Sequence, residues 1–157
     1  MSFESHVLSY FQELEALKNL SERESKALLD LLVLAILADS EVSEGELQQL
    51  DEELLRLPFL WDAETRERVV EHSARTRDYV ESILGDEGKL QIFIKGVADE
   101  IEAGDHRVVA MRMFIAVVVA EGLNDLERER IFDVGSAFGF ESDVIAEIID
   151  DVRNSLS

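Results

Sequence analysis

Two carboxylates are set apart by where they fall. Asp39 directly follows the apolar run Leu31-Leu-Val-Leu-Ala-Ile-Leu-Ala38, and Glu121 directly follows Met113-Phe-Ile-Ala-Val-Val-Val-Ala120. A carboxylate at the end of a helix meets the negative pole of the macrodipole, at a cost of about 0.3–1 kcal/mol. It also lies beside carbonyls that the last turn leaves unpaired. Carboxylate and carbonyl oxygens together are the ligand set of hard cations such as Ca²⁺ or Mg²⁺. If the two bends face each other, Asp39, Glu41 and Glu46 from one side and Glu121, Asp125 and Glu127 from the other would pool their oxygens. The same residues have a purely structural reading. Asp39 would accept from amides of its own loop, and Glu46 and Glu127 would be the N3 partners in capping boxes opened by Ser43 and Asn124. The residues leave both readings open. The stretch from Asp39 is not an EF-hand loop, because Glu44 stands at position six and Leu50 at position twelve.

The other groups that could do chemistry lack partners at the required spacing. His6, His72 and His106 lie in separate segments and form neither HExxH nor Glu-x-x-His, which argues against zinc-protease and di-iron sites. His106, just behind a helix start, is expected to face solvent. The eight glycines make no phosphate-cradling pattern, and no serine sits in a nucleophile elbow. There is no cysteine, which excludes thiol catalysis, disulfides and thiolate metal sites. The chain is therefore expected to be non-enzymatic. Arg66, Arg68, Arg75 and Arg77 form the one locally basic stretch. They would either dock an anionic partner or the acidic face of another copy, or simply form the helical pairs Glu64–Arg68 and Glu71–Arg75 on a solvated face.

The elements that must hold these groups read as helices throughout. Phe3, Val7, Phe11, Leu14 and Leu17 line one face of a first helix. Ser21-Glu22-Arg23-Glu24 is a capping box opening a second, to Ala38, and Ser43-Glu44-Gly45-Glu46 opens a third. Asp62 caps a fourth segment to about Leu84, where weak apolar periodicity suggests a break near Ser73. At Gly85-Asp86 and Gly104-Asp105 a left-handed glycine would end one helix and aspartate would cap the next. Between them Leu90, Ile94, Val97 and Ile101 form a clean stripe. A helix from Asp105 to Ala120 follows. Asn124 caps another that ends at Gly139, flanked by Phe138 and Phe140, and Ser142 caps the last. The expected fold is a single all-α domain over 1–157, a compact bundle of about seven or eight short helices. Buried helix, acidic elbow and capped helix occur twice, in units of about 21–57 and 105–139, so two pseudo-symmetric halves are expected; the second elbow is one residue shorter.

Charge bounds the partners. Thirty-five acidic residues against fifteen basic ones give a net charge of -20. Such a field repels phosphate backbones and anionic lipid and attracts cations and basic protein surfaces, besides conferring solubility. Nucleic acid is not an expected partner. The longest uncharged apolar runs are eight residues, well short of the roughly 20 needed to span a bilayer, and the N-terminus has no secretory signal pattern. Cytoplasmic location without membrane insertion is the expectation.

The segment Leu34-Ala-Ile-Leu-Ala-Asp-Ser-Glu-Val-Ser-Glu-Gly-Glu-Leu47 resembles the signature of the tellurite-resistance TerB family, in which a buried helix ends in Ala-Asp-Gly-x-Val-Ser-x-x-Glu. Val119-Ala-Glu-Gly-Leu-Asn-Asp-Leu-Glu-Arg-Glu-Arg-Ile131 is similar to the family's second copy, followed by its turn at Ala137-Phe-Gly-Phe140. A related domain begins some membrane-anchored DnaJ-type co-chaperones. The resemblance covers about residues 21 to 152. It implies an all-α fold with internal pseudo-symmetry and a divalent-metal site, with Asp39 and Glu46 matching the first motif and Glu121 and Glu127 approximating the second. Ser40 stands where the family has glycine, and Glu121 where it has aspartate. The function implied is stress or tellurite resistance through docking to a membrane-associated protein complex. The competing expectation is a metal-free, acidic protein-interaction or adaptor module on the same fold.

Overall fold

The computed structural model describes residues 20–38, 63–119 and 123–156. Helix α1 (Glu22–Ala38) starts at the expected capping box. The Glu24 N–H donates to Ser21 Oγ at 3.1 Å, and the Ser21 N–H donates to Glu24 Oε1 at 3.3 Å. From Leu31 to Ala35 every residue is buried, as are Leu28 and Leu29. A helix that is apolar all round has no face to give to water, so it must be enclosed by others.

Those others are α2 (Ala63–Ile83), α3 (Glu87–Glu100), α4 (Gly104–Val119), α5 (Asp125–Ala137) and α6 (Ser142–Leu156). Helix α4 repeats the all-round pattern, buried without interruption from Met113 to Val119. Helix α1 packs against α2, α3 and α4; α4 packs also against α5 and α6; α3 packs on α5 and α5 on α6. The described residues thus form an all-helical bundle, without a strand, around two adjacent central helices. The expected helices over Phe3 to Leu17 and from Ser43 lie outside the described residues. None of the described helices is long and apolar enough to cross a membrane.

Several local expectations hold. Leu90, Ile94, Val97 and Ile101 all face the core. Asp86 caps α3 by accepting from the Lys89 N–H at 3.1 Å. Gly139, at φ 89°, ends α5. Phe140 N–H donates to Gly135 O at 2.9 Å and Gly139 N–H to Ser136 O at 3.0 Å, the paired bonds of a Schellman turn.

Others do not. Helix α2 runs unbroken through Ser73. Its inward row is Ser73, Thr76, Val80 and Ile83, all buried at helical spacing; half of that row is polar, which is why apolar periodicity missed it. Gly139 alone among the described residues has positive φ, so Gly85 and Gly104 are not left-handed terminators. Helix α3 instead ends at Ile101 in extended backbone (φ -110°, ψ 93°), and Gly104 and Asp105 already belong to α4. The free carbonyls of that end are taken by a side chain. Arg107 Nε donates to Ile101 O at 2.5 Å and Nη2 to Ala98 O at 3.4 Å, while Nη1 reaches Phe138 O at 3.1 Å. Ser142 is the first residue of α6 rather than the residue preceding it.

Gly135 sits beneath α6. A Cβ there would lie 2.5 Å from Ile145 Cδ1 and 2.7 Å from its Cγ1, and Ile145 is fully buried. Gly135→Ala is therefore expected to lower unfolding free energy by about 1–2 kcal/mol, overpacking outweighing the better helix propensity. A shifted denaturant midpoint at unchanged slope is the measurement. A stabilised variant would show that Ile145 can yield.

Candidate functional site

Of the four elbow carboxylates, Asp39, Glu46 and Glu121 lie outside the described residues, as does Glu41. Glu127 is described. It is 8% exposed and occupies N3 of α5. Its N–H donates to Asn124 Oδ1 at 2.8 Å and its Oε1 accepts from the Asn124 N–H at 3.3 Å, the reciprocal capping box its structural reading requires. Asp125 is exposed in the first turn of the same helix.

The basic stretch on α2 does not present one uniform face. The Arg66 side chain is outside the description. Arg68 reaches across to Glu22 on α1 at 2.9 Å and lies 3.7 Å from Glu64. Arg77 is 3.9 Å from Glu81, and Arg75 is exposed without an ion pair to any described residue. Arg68 thus ties α2 to α1.

Both described histidines turn toward α1. His106, expected in solvent, has its Nδ1 2.6 Å from Glu24 Oε2, with side chains 15% and 16% exposed. It is the third residue of α4, and Glu24 the third of α1, so this pair joins the starts of the two central helices. Burial pushes the Glu24 carboxyl up, but hydrogen bonds from His106 and Ser21 outweigh it and hold the group below its ordinary range. Six residues along α1, Asp30 Oδ1 is 2.9 Å from His72 Nε2 and accepts from Thr76 Oγ1 at 2.8 Å. Here burial dominates and raises the carboxyl despite those bonds. Asp30, His72 and Thr76 comprise an acid, an imidazole and a hydroxyl, yet the hydroxyl is 3.5 Å from the same Nε2 that meets Asp30. A catalytic relay needs acid and nucleophile on opposite ring nitrogens, so this cluster joins α1 to α2 and relays no proton.

Two further features border on ligand chemistry. A cavity of about 300 Å³ opens beside the Glu24–His106 pair, lined by Ser21, Arg23, Glu24, Glu100, Glu102, Ala103 and His106, with Arg23 ion-paired to Glu100. Elsewhere Glu87, Glu129 and Asp133 bring carboxylate oxygens within 4.8 Å of one another, the one such grouping among the described residues. That grouping already contains a cation. Arg130, 9% exposed, donates from Nη1 and Nη2 to the two Glu87 oxygens at 2.6 and 2.9 Å and from Nη1 to Asp133 at 3.1 Å. The fork of bonds from Arg130 holds the Glu87 carboxyl below its usual range.

The positions of these contacts share a spacing. Glu24 and His106 are 82 residues apart, as are Asp39 and Glu121. Asp30 and Arg112 have the same separation. Asp30 binds His72 on α2, while Arg112 Nη1 lies 2.6 Å from Asp151 on α6. Each central helix is thus tied by a side-chain contact to a helix later in the chain, α1 to α2 and α4 to α6. The offset between the two elbows, applied to Glu24, points to His106; that was the signal available for this pair.

Comparison with protein-family models, with curated proteins and with solved structures yielded no match to this chain.

Because the Glu24 carboxyl is depressed in the folded state, its contribution is present above the ordinary carboxyl range and lost as pH falls through the folded-state value. Glu24→Gln should therefore lower Tm most near about pH 7, and the gap to the parent should close toward about pH 3. Parallel Tm curves across that span would mean the carboxylate's charge does not stabilise this contact.

Proposed function

We propose that the chain is a non-enzymatic TerB-like module whose two halves are related by an internal twofold. In this reading a divalent cation, Ca²⁺ or Mg²⁺, is held where the elbows of the halves meet, by Asp39, Glu46, Glu121 and Glu127. Its role is stress or tellurite resistance in the cytoplasm, through docking to a membrane-associated protein complex.

The observation that carries this reading is the contact between Glu24 and His106. Under a twofold, equivalent residues touch only beside the axis. These two are separated by the same offset as the elbows, so they are the pair expected there. From each, the elbow carboxylate is fifteen residues further on in the sequence. On this reading the two bends are equivalent about the same axis.

The pattern of the remaining elements agrees. Val7, Phe11 and Leu14 repeat the spacing of Leu90, Ile94 and Val97. This gives the order α3, α4, α5, α6 a counterpart in the first stripe, α1, the segment from Ser43, and α2, eight helices in all.

A second reading is favoured by Glu127 and Arg130. Glu127 is engaged in its capping box, and two of the three carboxylates in the one described acid grouping already pair with Arg130. On that reading the fold is a metal-free, acidic adaptor that binds a protein partner.

Calorimetric titration with Ca²⁺, Mg²⁺ and Zn²⁺ separates the two. The cation reading expects saturable heat and a stability gain of about 2.7 kcal/mol at a hundredfold excess over Kd, both abolished in Asp39→Ala with Glu121→Ala. An absence of heat and of any Tm change at millimolar metal leaves the adaptor. A Tm rise that persists in the double variant is screening of the -20 charge.

A further inference from the structure

Helix α3 has an outer face that the other described helices do not use. Ile92 is 72% exposed, more than any other large apolar residue among those described. Leu90, Ile94 and Val97 already fill the inward positions of this helix, so Ile92 belongs to the outer surface and not to the core stripe. Three positions to either side stand Lys89 and Lys95, exposed and without an ion pair to any described residue. Four positions to either side are Gly88 and Gly96. A Cβ at Gly96 would meet nothing, and one at Gly88 only Asp86 Oδ1 at 3.5 Å. Glycine weakens a helix interior, and no packing among the described residues requires it at these positions. The surface is a smooth ridge with an apolar knob between two cations, in a chain where acids outnumber bases thirty-five to fifteen.

The complementary surface is on the same molecule. Helix α6 exposes Asp143, Val144 and Glu147, with Val144 at 37%. Lys89 and Lys95 are about 9 Å apart along their helix, and Asp143 and Glu147 about 6 Å along theirs, a difference that lysine side chains span easily. Helices α3 and α6 both pack on α5. Pairing α3 with its own copy about Ile92 would set Lys89 against Lys95, like charge on like.

We propose that α3 of one copy docks on α6 of a second copy. Ile92 rests against Val144, Lys89 and Lys95 pair with Asp143 and Glu147, and a twofold makes the contact twice. This association is independent of any cation at the elbows.

The test is sedimentation equilibrium of the whole chain over a concentration series at about 0.15 M salt, where the repulsion between copies is screened beyond about 8 Å. The parent should form a dimer. Ile92→Glu, and separately Lys89→Glu with Lys95→Glu, should weaken it by about tenfold or more; all three positions are exposed, and circular dichroism confirms folding. Asp143→Lys with Glu147→Lys should also weaken self-association, and mixing it with the Lys89→Glu, Lys95→Glu variant should restore heterodimers. A monomeric parent throughout the series overturns the proposal and leaves an acidic helix of another protein as the occupant of this ridge. A dimer indifferent to these substitutions overturns it as well, because the interface is then elsewhere.

Discussion

The bundle is organised by the absence of a polar face on α1 and α4. Each buried Leu, Ile, Val, Phe or Met contributes about 1.5–3 kcal/mol relative to exposure, and in these two helices such residues point in every direction. Neither helix can sit at a surface, so the remaining helices become their cover, with one apolar side each. Polar groups on the central helices are confined to the ends or directed at a neighbouring helix. Glu24 meets His106 at the starts, Asp30 meets His72 and Thr76 on α2, and Arg112 meets Asp151 on α6.

Arg107 shows how the cover is fastened. Its guanidinium donates to carbonyls at the end of α3 and at the end of α5 from a position in the second turn of α4, and it lies 5.9 Å from the centroid of the Phe138 ring. Hydrogen bonds from a charged donor are worth about 1.5–3 kcal/mol each when well made. One side chain thereby satisfies carbonyls at two helix ends. The end of α5 also has a glycine turn, at Gly139, whereas the end of α3 has none.

What could be read in the residues follows from the range of the interactions. Capping boxes at Ser21 and Asn124 and the Schellman turn at Gly139 act over three to five residues, and all three were legible. The stripe from Leu90 to Ile101 was equally clear, because its period is local. The end of α3 was misread, since the bonds that settle it come from Arg107, six and nine residues further on in the next helix and beyond the reach of a local capping signal. His106 was misplaced for the same reason: its partner is 82 residues away. Helix α2 was under-read because Ser73 and Thr76 are buried through contacts with other helices, which apolar periodicity does not register. For the candidate site, legibility ran the other way. The acidic elbows were the most visible chemistry in the chain, yet of their four carboxylates only Glu127 falls among the described residues, where it caps a helix.

Arg130 bears on how the -20 charge is tolerated. Its guanidinium is a tethered counterion for Glu87 and Asp133, already desolvated and held by three bonds. A free ion that took the Glu87 and Asp133 oxygens would have to break those bonds and leave a nearly buried guanidinium without partners. At this corner of the surface the chain thus supplies part of the balancing charge itself, one guanidinium among three carboxylates.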